Sequence, residues 1–219
     1  MNQSRKTSLA AGILYLLTFI SIPTLSLYHE IHQPNFIQST APSSDVVIGG
    51  MLELLMALFC IGTAIVLYPF LKKQNETMAL GFVAARVLEA ALIFAGVAAL
   101  LTVLQLRTLG AEATVMSRGL VMLYDCLFLI SQSFIPAING LLLGTLLYQS
   151  RLVPRLLPII GIIGAFTLTA GDVAVLFGVI DQHAPLAGVS AIPIALWEFS
   201  LGVYLTVKGF KENAVILAE

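Results

Sequence analysis

The run from Asn75 to Gln105, NETMALGFVAARVLEAALIFAGVAALLTVLQ, is long enough to cross a bilayer, yet it carries Arg86 and Glu89 well inside. A hydrocarbon core takes about 20 apolar residues in helical form. A charged side chain near its centre costs about 2.5–3.5 kcal/mol on insertion scales. Arginine does not neutralise itself in a protein, so Arg86 demands an acid. Glu89, three residues on, shares its helix face and lies within reach. Any fold open to this chain must keep that pair away from lipid.

The surrounding composition leaves no soluble alternative. The 219 residues are 58% hydrophobic and 11% charged, with mean hydropathy +0.97. A soluble domain carries about 25% charged residues, so most of this chain has the bilayer as its solvent. The net charge of −1 excludes nucleic acid as a partner. Membrane lipids, a small solute or a proton are the expected partners. Cys60 and Cys126 both fall in apolar runs and read as packing residues, not as a disulfide or metal pair.

Six runs reach spanning length, at about 8–28, 46–71, 78–106, 120–148, 156–180 and 187–207. They define an all-α polytopic transmembrane bundle of six helices in a single integral membrane domain, 1–219. Arg5 and Lys6 before the first run resemble a secretory leader, but the run is long and no small-residue cleavage site ends it. A retained first helix, bent at Pro23, is therefore expected. Asn75 or Thr77 suits the cap of the third helix, and Pro136 marks a kink in the fourth. The tail runs from Lys208 to Glu219. Arg5, Lys6, Lys72, Lys73, Arg151, Arg155, Lys208 and Lys211 fall at one set of helix ends, against only Arg107 and Arg118 at the other. That asymmetry puts both termini in the cytoplasm. No internal repeat is evident, so an inverted-repeat transporter is not supported.

Six ionisable residues lie within these spans: Glu53, Arg86, Glu89, Asp125, Asp172 and Glu198. At about 1.5 Å per residue, Asp125 and Asp172 sit in the outer part of the membrane, Glu53 roughly 10 Å deep, and Glu89 and Glu198 near mid-depth beside Arg86. The acids thus step inward toward one guanidinium, which suggests a polar cavity opening outward. The competing reading makes them interhelical glue. In the fourth helix Asp125, Gln132 and Asn139 recur every seven residues along one face. Gly140 and Gly144 form a G-x-x-x-G pair suited to close helix contact. Trp197 beside Glu198 is either a ligand platform or core filler. Tyr28, Tyr68, Tyr148 and Tyr204 lie near span ends, where they read as interface anchors. His29-x-x-His32, with Glu30 and His183, is a weak metal pattern in loops, so no metal or other cofactor is expected. Ser131, Ser133 and Ser200 lack a nearby histidine base.

The segments KKQNETMALGFVAARVLEAALIFAGVAALL, LLYQSRLVPRLLPIIGIIG and WEFSLGVYLTVKGF resemble the bacterial multi-pass membrane family called domain of unknown function DUF4386. The resemblance runs from Ala10 to Phe210 and would mark Glu53, Arg86, Glu89, Arg151, Pro154 and Glu198. It implies a bacterial cytoplasmic membrane and a six-helix bundle, and brings no activity. The function expected is that of a small-solute or proton-linked carrier or binding bundle, with Arg86, Glu89, Glu53, Asp125, Asp172, Trp197 and Glu198 as the buried polar centre or ligand site. A scaffold without transport activity is the alternative, followed by an intramembrane acid–base enzyme.

Overall fold

The computed structural model describes residues 2–211 and 214, so most of the tail beyond Lys211 lies outside the described residues. Among these the regular structure is helical, with no strand. The α-helices are α1 (Gln3–Leu17), α2 (Thr24–Leu27), α3 (Ser44–Gln74), α4 (Glu76–Leu106), α5 (Thr114–Leu129), α6 (Ile135–Ser150), α7 (Leu156–Leu176) and α8 (Pro185–Val207). Five stretches are long and apolar enough to cross a membrane: Gln3–Leu27, Ser44–Gln74, Glu76–Ser150, Leu156–Leu176 and Pro185–Val207. The third is 75 residues long and holds one non-helical residue, Gly110, at φ 61 and ψ −138.

Local chemistry explains the breaks. Asn75 caps α4, its side chain accepting from the Met78 amide at 3.0 Å. Before Pro23 the first stretch tightens into a 3₁₀ turn, Thr18–Ser21, and α2 resumes after it. Pro136 sits in the first turn of α6, which continues directly from the helix before it, so its missing N–H removes a donor from the ladder there. The irregularity expected there falls just upstream, as a π-helical segment over Ile130–Phe134. Arg5 of α1 donates to the last carbonyls of α8, Leu205 at 3.1 Å and Thr206 at 2.7 Å, and so closes that helix end.

Helix neighbours form a closed circuit. α1 packs on α3, α3 on α4, α4 on α6, α6 on α7, α7 on α8, and α8 returns to α1. α5 packs against α4 outside this circuit. Small residues permit the close approaches. A Cβ on Gly140 would meet Ile194 Cδ1 at 2.7 Å, and one on Gly144 would meet Ile162 Cγ1 at 2.9 Å, so this glycine pair faces α7 and α8 within the chain. The main core joins Tyr15, Leu67, Phe82, Leu143, Leu168, Trp197 and Leu201 across all six circuit helices. Trp197 is core, its indole lying so close over Gly161 that a Cβ there would overlap the ring.

Candidate functional site

Arg86 occupies the middle of the circuit, with 2% of its surface exposed. Its Nη1 donates to Glu89 Oε2 at 3.1 Å and Oε1 at 3.2 Å. Its Nη2 donates to Glu198 Oε1 of α8 at 2.9 Å and to the Tyr15 hydroxyl of α1 at 3.4 Å. The guanidinium also stands over the Tyr15 and Phe82 rings, 5.6 and 5.7 Å from their centroids. Asn139 of α6 donates to Glu89 Oε2 at 2.7 Å, and Cys60 of α3 touches both Arg86 and Glu89. One cation and two carboxylates thus draw side chains from α1, α3, α4, α6 and α8 to a point.

Glu53 belongs to a second centre. It is fully buried and, among the described residues, takes part in no salt bridge. Three side chains donate to it instead: Tyr28 to Oε2 at 3.2 Å, and Tyr124 and Gln132 to Oε1 at 2.8 and 3.0 Å. The interface role expected for Tyr28 is corrected here, because α2 turns the ring inward, 5% exposed and edge-on to Tyr124. Each carboxylate oxygen has its own donors, which sets a prediction. Tyr28→Phe orphans Oε2 and is expected to cost about 1–3 kcal/mol. Tyr124→Phe should cost less, because Gln132 remains on Oε1. Melting midpoints in detergent check the order, and equal midpoints for both variants and the parent would refute it.

The third arrangement lies at the end of the bundle that carries the first loop. A chamber of about 960 Å³ opens between that loop, α5, and the facing ends of α7 and α8. Ile31, Phe36, Val121, Phe128 and Val175 give it apolar walls; His32, Arg118, Asp125, Gln132, Asp172 and His183 supply polar groups. Asp172 accepts a hydrogen bond from Ser133. His32 Nε2 lies 2.9 Å from Asp125 Oδ1, and His32 Nδ1 lies 2.6 Å from the Tyr28 carbonyl. The Asp125 contact, more than the carbonyl, raises the His32 pKa above its ordinary value, while partial burial opposes this. Gln182 donates to the Asp125 backbone carbonyl at 2.9 Å and holds the His183 loop against α5.

The sequence candidates therefore fall in three places. Arg86, Glu89 and Glu198 meet directly. Glu53 sits with tyrosines, and Asp125 and Asp172 line the chamber. Glu53, Arg86, Glu89, Trp197 and Glu198 do not line it. Tyr15, Tyr28 and Tyr124 are the contributors that sequence reasoning missed. The available signal was a phenol deep in an apolar run, as at Tyr15. Ser150, Leu152 and Val153 are buried at the α6–α7 turn, where Arg151 adopts a left-handed conformation at φ 56.

An all-helical chain with apolar stretches of spanning length and charges buried at its axis is an integral, multi-pass membrane protein. The chain belongs to the family described as domain of unknown function (DUF4386), whose model matches residues 10–209. No curated protein and no solved structure matches it.

Proposed function

We propose that this protein is a six-span bundle of the bacterial cytoplasmic membrane, with both termini inside, that binds or carries a small amphiphilic solute. The observation that carries the reading is the chamber. Its volume of about 960 Å³ lies at the upper end of the range for small-molecule sites, about 300–1,000 Å³. Apolar walls with a few polar groups among them suit a small molecule that carries both apolar and polar parts. The six-span count draws support from length: a straight rod of 75 residues would reach about 110 Å, several bilayer cores. Gly110 supplies a break, and α4 and α5 pack together on either side of it. The basic residues at one set of helix ends support the orientation.

The Arg86 centre is the bundle's structural lock in this reading, separate from the chamber. That separation favours solute binding over proton coupling through Glu89 and Glu198.

Thiol labelling tests the chamber. In a background carrying Cys60→Ala and Cys126→Ala, Ser117→Cys places a thiol on the chamber wall. It is expected to react with a membrane-impermeant maleimide added to intact cells, and not with the same reagent sealed on the cytoplasmic side. Val103→Cys, fully buried outside the chamber, should stay unlabelled from both sides. If Ser117→Cys is as silent as Val103→Cys from both sides, the chamber reading falls. Labelling from the cytoplasmic side alone would reverse the orientation.

A further inference from the structure

His32, Asp125 and His183 come from the first loop, α5 and the loop before α8, far apart in sequence. Their ligand atoms nevertheless lie within 4.8 Å of one another. His32 Nε2 is 2.9 Å and His183 Nε2 3.8 Å from the same oxygen, Asp125 Oδ1. Ligand atoms around a tetrahedral zinc ion, at bond lengths near 2.0–2.1 Å, stand about 3.3 Å apart. The two distances fall on either side of that spacing, so small side-chain rotations bring three ligands onto one ion.

The far side of the His32 imidazole provides an independent observation. His32 Nδ1 faces the Tyr28 carbonyl at 2.6 Å, a distance that requires an N–H there. In the neutral ring this leaves the lone pair on Nε2, directed at an anionic oxygen 2.9 Å away. Two acceptors facing each other call for a cation between them or a proton on the ring. His183 Nε2 also turns toward Asp125, at 3.8 Å, and the His183 backbone amide donates to Asp181 Oδ1 at 2.8 Å, which ties that loop down. An oxygen behind the distal ring nitrogen is the arrangement that orients histidine ligands in metal sites.

We propose that His32, Asp125 and His183 form a binding site for a divalent transition-metal ion, with zinc the best match to two imidazoles and one carboxylate. The inference reverses the sequence expectation of no metal, which grouped His32 and His183 with His29 and Glu30 and left out Asp125. It goes beyond the chamber reading, since the ion binds whether or not a solute enters. Three protein ligands leave a fourth position for water or for an anionic oxygen.

The test uses the full chain, purified in detergent with an affinity tag free of histidine, and Zn²⁺ alone as the probe. Equilibrium dialysis against a competing chelator is expected to give one zinc per chain. Asp125→Asn and His183→Ala should each weaken binding at least tenfold, while His29→Ala leaves it unchanged. The His183 side chain is 64% exposed, so its removal does not threaten the fold. Zinc should raise the melting midpoint of the parent chain and not that of His183→Ala. The proposal is overturned by less than stoichiometric zinc, by parental affinity in His183→Ala, or by equal losses in His29→Ala and His183→Ala.

Discussion

The double variant Glu89→Gln/Glu198→Gln is expected to be far less stable than the sum of its single substitutions. Either single change leaves Arg86 one carboxylate, at 2.9 Å from Glu198 or about 3.1 Å from Glu89. The double change leaves a buried guanidinium with no anion, in a ring of apolar helices. Removing the partner of a buried charge costs about 3–5 kcal/mol, and residues in one network couple rather than add. Exchanging the cation as well, by Arg86→Met on the double variant, should recover most of the loss, because apolar replacements of buried ion groups are often neutral. Thermal or denaturant unfolding in detergent measures the four variants against the parent. Strict additivity of the two single variants, or no recovery with Arg86→Met, would show that the three groups do not act as one unit.

The second large effect lies where α7 meets α8. A Cβ on Gly164 would come within 2.7 Å of the Ile194 nitrogen, 2.9 Å of its Cα and 3.0 Å of the Pro193 carbonyl carbon. All three are backbone atoms, so no side chain can swing aside, and the helices must separate. Gly164→Ala is expected to cost about 1–3 kcal/mol, the usual penalty of overpacking. Gly119 of α5 is the comparison, because a Cβ there meets nothing within 4 Å. Gly119→Ala should gain about 0.5–1 kcal/mol from helix propensity. The contrast controls for composition, since both variants add one methyl group to a helix. If the two midpoints move together, the close approach of α7 and α8 is not what this glycine serves.

Legibility in the sequence follows the range of each interaction. The Arg86–Glu89 contact is a consequence of spacing on one helix and needs no fold to be seen. Residue counting also puts Glu198 level with Glu89, because depth in a bilayer is nearly linear in position. Seven-residue spacing lines up Asp125, Gln132 and Asn139, yet each reaches a different partner: His32, Glu53 and Glu89. The picture of all the acids converging on one guanidinium holds for Glu89 and Glu198 but not for Glu53, Asp125 and Asp172. Phenols, an amide, an imidazole and a serine hydroxyl serve those three. Glu53 and Asp172 are served by neutral donors, which can satisfy a carboxyl group without a cation, and their pairing across helices leaves no periodic trace. Tyr28 shows the same limit. Its position near a span end suits an interface, and only the tight turn after Pro23 sends its hydroxyl inward to Glu53.

The return of α8 to α1 bears on how the chain is made. Spans leave the ribosome in order, so Arg86 must enter the membrane long before Glu198, 112 residues later, has been synthesised. During that interval Glu89 is the buried acid that travels beside it, three residues on along the same helix, and the pair can cross the translocon as a nearly neutral unit. The nascent bundle stays open until its last span arrives and docks on its first. A chain ending before α8 would therefore leave Arg86 with Glu89 as its remaining acidic partner among the described residues.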